Sequence, residues 1–224
     1  MMEFAAKTVR EAWLAAIRHI LTEGRKFIDD DGRECHEVAN LSVTIENPAS
    51  AAEGVRAMRL CRKWRYPSED ELANIILNKE AGSSYDYLYG QRIFAYAGTV
   101  DQVDDYVIPL LKARPNSRRA VVSLLNPALD LKSGSTNLLG IALIHFRILD
   151  GKVDVTTVIR TSGFFTGWPA NIFQIAQLQE RVALALQLPQ GRITTISLAA
   201  HIHTENLEDI EIVLGKDVVK DAKE

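Results

Sequence analysis

The dipeptide Asp150-Gly151 stands between two long apolar runs, Leu138–Leu149 and Val153–Ile159. Asp-Gly is the residue pair that a two-residue hairpin turn asks for, because both central positions need positive φ. The two runs are therefore predicted to be antiparallel neighbours in a sheet. Pro169–Leu186 follows, with Ile172, Ile175, Leu178, Val182 and Leu186 on one stripe. Its near-continuous apolarity predicts a helix buried on most sides. Ile193–His203 then reads as a further strand.

The rest of the chain fits around this unit. Residues 5–23 carry Val9, Trp13, Ile17 and Ile20 at helical spacing, and Gly24 is a natural stop. Asp29–Glu34 reads as a polar loop. Glu37–Glu46 alternates through Val38, Leu41, Val43 and Ile45 as a strand, ended by Asn47-Pro48. Ser68-Glu69-Asp70-Glu71 is a capping box opening a helix through Leu77, and Ser83–Tyr89 is an aromatic loop. Thr99 to Gln102 reads as a second capping box, its helix bent or restarted at Pro109. Ala120–Leu125 is a strand, Leu207–Leu214 a short helix or strand, and the charged last residues are expected to fray. With no repeat, no linker and no strict βαβ alternation, the expectation is an α+β fold, one domain over residues 1–224, its mixed sheet covered by helices.

A chain of 224 residues with 47% hydrophobic content can bury a full core. The net charge of −3 supplies no global field for nucleic acid or an anionic membrane, and leaves room for a local basic pocket. Apolar runs fall short of the roughly 20 residues that span a bilayer. The first residues lack signal-peptide character. Two cysteines, Cys35 and Cys61, are too few for a disulfide scaffold, and neither has metal-site spacing. A soluble cytoplasmic protein with reduced thiols is expected.

Arg160 closes the second hairpin strand, where its guanidinium either meets solvent or converges on an anion through forked, charge-assisted hydrogen bonds. Arg118 and Arg119 are adjacent at the start of a strand and so point to opposite faces. Asn171, near the start of the buried helix, either caps locally or offers one donor and one acceptor, the pair a pyrimidine edge presents. His201 and His203 alternate and share a face, open to solvent, core, metal or sugar-hydroxyl roles. No third ligand at suitable spacing is evident, so no metal is assigned.

Taken in order, these pieces resemble thymidylate synthase. Ser117-Arg118-Arg119 followed by Leu125-Asn126-Pro127 is similar to the family's Ser-Arg-Arg…Trp-Asn-Pro run. Phe146-Arg147-Ile148 before Asp150-Gly151-Lys152 resembles its hairpin, and Arg160-Thr161 its Arg-Ser. Gly167-Trp168-Pro169-Ala170-Asn171-Ile172 resembles its Gly-x-Pro-x-Asn-Ile, and His201-Ile202-His203 its His-x-Tyr. Leu88-Tyr89-Gly90 is a weaker match near the pocket. The resemblance is best from Ser117 to Asn206, and the short chain is similar to the compact archaeal branch.

The resemblance implies an α+β sandwich dimerising through its sheets and a pyrimidine nucleoside monophosphate as ligand. Arg160 and Thr161 would hold the phosphate, with Arg118 and Arg119 reaching in from the other subunit of a homodimer and Arg33 as an N-terminal phosphate contact. Asn171 would read the base, and uracil suits it. His201 and His203 would touch the ribose, and Tyr89 would line the pocket. Counting back from Phe146 places Gly140 where the family has its nucleophilic cysteine, which adds to C6 of the pyrimidine; glycine has no side chain to do so. Nearby Ser133, Ser135 and Thr136 are weaker nucleophiles without an adjacent base. Gly163 replaces the aspartate that anchors the pterin, so a reduced folate or methanopterin loses its usual hold. The resulting expectation is a dUMP-like nucleotide binder that has lost cysteine-dependent C5 methylation. The alternatives are a one-carbon transferase using a non-cysteine route, an ordinary thymidylate synthase whose cysteine falls in another register, and an assembly module that binds no nucleotide.

Overall fold

The computed structural model describes residues 2–61, 63, 65–80, 89–131 and 138–219. Thr8 opens the first helix: its hydroxyl accepts from Glu11 N at 3.3 Å, while the Glu11 carboxylate accepts from Thr8 N at 3.1 Å. This capping box releases the residues before it. Met2–Ala6 form strand β1 and only Val9–Glu23 form helix α1, correcting the expected helix over 5–23. β2 (Arg25–Ile28) turns at Gly32, φ 79°, into the long β3 (Glu34–Ile45). β3 therefore starts earlier than Glu37, and Glu34 pairs with Ile28 rather than lying in a loop.

α2 (Ala52–Met58) has no counterpart in the sequence reading, whereas α3 (Glu69–Leu77) begins and ends where its capping box predicts. Ser68 Oγ accepts from Glu71 N at 3.2 Å, and Glu71 Oε2 from Ser68 N at 2.7 Å. Replacing Ser68 by alanine is expected to lower stability by about 1 kcal/mol, read as a shifted midpoint with an unchanged slope in urea.

Of the expected aromatic loop, only Tyr89 lies within the described residues, where it opens α4 (Tyr89–Phe94). The second capping box does not form. Asp101, not Thr99, accepts from Val103 N at 3.0 Å and Asp104 N at 2.7 Å. Gln102 instead donates to Arg92 O and Ser123 O, both at 2.8 Å. A π-helical turn, Val103–Val107, leads to α5 (Ile108–Ala113), which restarts at Pro109 as expected.

β4 (Val121–Ser123) and α6 (Pro127–Asp130) precede the hairpin of β5 (Ile141–Leu149) and β6 (Lys152–Gly163). Asp150 and Gly151 have φ of 50° and 73°, and Leu149 pairs with Lys152, the two-residue turn that the sequence predicts. β6 runs four residues past Ile159, through the arginine. α7 (Gly167–Leu186), β7 (Gln190–His203) and α8 (Leu207–Leu214) complete the described elements.

The seven strands form one mixed sheet in the order β1-β3-β7-β6-β5-β4, with β2 pairing on β3 beside β1. β1–β3 and β6–β7 are parallel; the other pairs are antiparallel. α7 crosses between the parallel β6 and β7, packed on the sheet and under α2, α3 and α5, which accounts for its apolarity. Its two buried glutamines find backbone acceptors: Gln174 Nε2 donates to Leu72 O at 3.3 Å and Gln179 Nε2 to Val153 O at 2.7 Å. α1 covers the β3 side of the same face. The result is the α+β architecture expected, one core between sheet and helices. No helix of the described residues is long and apolar enough to cross a membrane.

Candidate functional site

In β6 and β7 the alternation of buried residues is regular and then skips. Buried Val153, Val155, Thr157 and Ile159 are followed by Ser162, not by Thr161. In β7, buried Ile193, Thr195 and Ser197 are followed by Ala200. β3 does the same in its neighbouring register, with Leu41 paired to Ser197 and Val38 to Ala200. Between these levels Asn40 adopts φ 56°. All three strands thus put two successive residues on the face away from the helices, where a regular pleat allows one. Arg160 and Thr161 are that pair in β6.

Past this step the outer face carries a cavity of about 520 Å³. Arg160, Thr161, His201 and His203 line it together, with Arg33 and the acidic residues Asp29–Asp31 across from them. A second, contiguous hollow shares Arg33, His201 and His203 and reaches Gly163, Thr166 and Asn206. Five of the residues singled out in the sequence therefore converge: Arg33, Arg160, Thr161, His201 and His203.

Arg160 is fixed by its backbone, whose N–H donates to Gly140 O at 2.8 Å, and by Nη2, which donates to Leu138 O at 3.0 Å. Its Nε is buried without a partner, and no carboxylate among the described residues pairs with it. Thr161 Oγ1 lies 3.4 Å from His201 Nδ1. Burial, reinforced by His203 and Arg33, pulls the His201 pKa down to about 4, so the ring is neutral near pH 7. The turn joining β6 to α7 is held by Phe164 N donating to His201 O at 2.8 Å and Trp13 Nε1 donating to Phe164 O at 2.8 Å. Stacking of Trp13 on Phe165 and Phe164 on Trp168 completes the clamp.

Gly140 stands at the mouth of β5. A Cβ placed there would lie 3.5 Å from both Thr161 O and Tyr89 Oη, an ordinary contact distance. Tyr89, buried, thus marks the same corner of the site. A Cβ on Gly163 would lie 3.6 Å from His201 Nε2. Asn171 is half-buried in the second turn of α7 and does not line either hollow. Arg118 and Arg119 are exposed on a separate surface with Arg114 and Ser117, so within one chain they do not reach Arg160. Ser133, Ser135 and Thr136 lie outside the described residues.

The sequence reading missed Asp29, Cys35 and Glu37, which line the same cavity. Cys35 is the register partner of His203 and Glu37 that of His201. That pairing supplies the potential metal ligands that sequence spacing did not offer. Arg33 is held by Asp29 at 3.1 Å and Asp31 at 2.9 Å. Backbone donation from Arg33 N holds the Asp29 carboxyl below its usual range, with His203 and the Arg33 guanidinium acting in the same direction.

Folding also keeps His36 and His145 neutral, each pulled down mainly by burial. Like His201, they have folded pKa values below the unfolded value near 6.5. Their contribution is therefore complete above pH about 6.5 and is lost as pH falls below it, because the unfolded chain takes up the protons first. Stability in urea is expected to be about 2 kcal/mol lower at pH 5 than at pH 7.5, from His201 alone. Equal midpoints at the two pH values would contradict this.

A sheet-face pocket of this composition defines a class before it defines a member. A model of the thymidylate synthase family matches residues 59–223. A protein of Methanosarcina barkeri named "Putative thymidylate synthase" is 32% identical over 209 residues, 93% of each chain. Namesakes in Methanothermobacter marburgensis and Methanocaldococcus jannaschii are 28% identical over 228 residues and 26% over 208, covering 98% and 89% of those proteins and 97% and 88% of this one. The chain belongs to the thymidylate synthase family.

Proposed function

We propose that the cavity binds a pyrimidine nucleoside monophosphate of the dUMP kind and that cysteine-dependent methylation at C5 has been lost. The observation that carries this reading is Arg160. A guanidinium with a buried, unpartnered N–H that forms no ion pair with any described carboxylate, although Asp29–Asp31 and Glu37 line the same cavity, can take an anion. The neighbouring Thr161 hydroxyl adds a donor to the phosphate, and the His201–His203 pair lies where a sugar would follow. The base falls to Asn171 by the family resemblance alone, since this residue lines neither hollow. By the count back from Phe146, the family's nucleophile position would fall on Gly140, and neither cysteine is near it in sequence.

The exposed Arg118 and Arg119 contribute to the cavity of a second subunit. The half-buried outer face of β5, β6 and β7, with Arg147, Thr156 and Thr194, forms the interface. Sedimentation at micromolar concentration is expected to show a dimer.

Calorimetric titration with dUMP, UMP, dCMP and CMP tests the reading. One nucleotide should bind in preference, and more weakly at higher salt. No heat with any of the four would refute it. A second reading, a C5 one-carbon transferase with a non-cysteine route, draws support from relatives named as synthases over nearly their full length. Exchange of the C5 proton of bound nucleotide with solvent by the unaltered chain would favour that second reading.

A further inference from the structure

Asp29, Cys35 and His203 bring one oxygen, one sulfur and one nitrogen donor within 4.8 Å of one another. Their meeting is built into the backbone. Cys35 and His203 are direct partners across the antiparallel β3–β7 pair, so their side chains leave the same face side by side. Asp29 comes from the turn between β2 and β3. Its Oδ1 accepts from Asp31 N at 3.0 Å and Arg33 N at 2.8 Å. Those bonds fix the carboxylate so that Oδ2 lies 3.2 Å from His203 Nε2 and 3.9 Å from Cys35 Sγ.

The oxygen–nitrogen edge of 3.2 Å fits a small coordination tetrahedron, the oxygen–sulfur edge of 3.9 Å is slightly longer than one, and all three donors lie within 4.8 Å of one another. Zinc bonds of about 2.0 Å to nitrogen and oxygen and about 2.3 Å to sulfur put neighbouring donors roughly 3.3–3.7 Å apart. A cation at the centre draws the Cys35 thiol inward, toward the shorter sulfur edges of that polyhedron. We propose that Asp29, Cys35 and His203 form a mononuclear site for a thiophilic divalent cation, Zn²⁺ by preference. The mixed S/N/O donor set suits a borderline metal and not Mg²⁺ or Ca²⁺, which take oxygen alone. Three protein ligands leave a fourth position, and it opens on the cavity that these residues line with Arg160, Thr161 and His201.

Binding follows a simple exchange of partners. The cation displaces the Arg33 guanidinium from Asp29 Oδ2; the arginine, 43% exposed, keeps its bond to Asp31. The Cys35 thiol releases its proton to solvent and the thiolate bonds the metal. The two backbone N–H groups on Asp29 Oδ1 serve as the outer support that orients a metal carboxylate. This inference goes beyond the nucleotide reading and does not depend on it.

The test is anaerobic titration of the reduced, chelator-treated full chain with Co²⁺. A thiolate-to-cobalt charge-transfer band in the near ultraviolet and strong visible bands of a tetrahedral ion are expected, both displaced by Zn²⁺. C35S, which keeps size and polarity, should abolish the charge-transfer band and weaken Zn²⁺ binding by about 100-fold or more. D29N, altered at the turn and not in the sheet, should weaken it comparably. R33Q should bind more tightly, and C61S should keep the band. A wild-type chain without the band, or a band that survives C35S, would overturn the assignment.

Discussion

Replacing Arg160 by alanine is expected to weaken dUMP binding by roughly 10³-fold, about 4 kcal/mol, the scale seen when one partner of a buried, hydrogen-bonded charge pair is removed. The size follows from the surroundings. No described carboxylate pairs with this guanidinium, and its Nε has no partner in the protein, so a bound phosphate would take the donors that Leu138 O leaves over. The cost to the fold is smaller, since the alanine loses one charge-assisted hydrogen bond to Leu138 O, about 1.5–3 kcal/mol. Lysine at 160 separates charge from geometry: it keeps the cation and loses the planar fork, and an intermediate loss is expected. Calorimetry reads both variants, with thermal melts to confirm that they fold. Wild-type affinity in R160A would remove the main support for a phosphate site.

Cysteine at position 140 is expected to supply the nucleophile that, on the proposed reading, the unaltered chain lacks. The position accepts a side chain: its φ lies outside the left-handed region, and the new Cβ would meet Thr161 O and Tyr89 Oη at ordinary distance. A thiol there sits beside the strand carrying Arg160 and Thr161, where the phosphate would anchor the nucleotide. Its addition to C6 makes C5 basic, so the C5 proton should exchange with deuterated solvent at least about 100-fold faster than in the wild type, a barrier lower by about 2.7 kcal/mol. NMR of the nucleotide follows the exchange directly. G140C that binds dUMP without exchange would show that more than the nucleophile is missing. Exchange already present in the wild type would show that the chemistry was never lost.

What could be read beforehand divides along a physical line. The Asp150-Gly151 turn and the Ser68 capping box are local chemistry, and both appear in the structure as expected. α7 was visible because burial on most sides leaves an apolar signature no loop would carry. β1 was not: Glu3-Phe4-Ala5-Ala6-Lys7 has good helix formers, and only the free edge of β3 makes it a strand. Arg160, Thr161, His201 and His203 were visible as cavity-lining residues because they fall in short motifs. Asp29, Cys35 and Glu37 were not, since their place beside the two histidines comes from strand register between distant parts of the chain.

The step shared by β3, β6 and β7 has a consequence for how such a protein can change. Each strand's doubled residue is matched by its neighbour's, so a one-residue deletion in any of them would turn the rest of that strand inside out and drive His201 or Thr161 toward the helices. Length at this level is therefore close to frozen. Side-chain identity is freer, because the doubled residues lie on the face away from the helices and none belongs to the buried core. A lineage built on this frame can exchange one chemistry for another by point substitution alone, with the address of every group in the pocket held by the backbone.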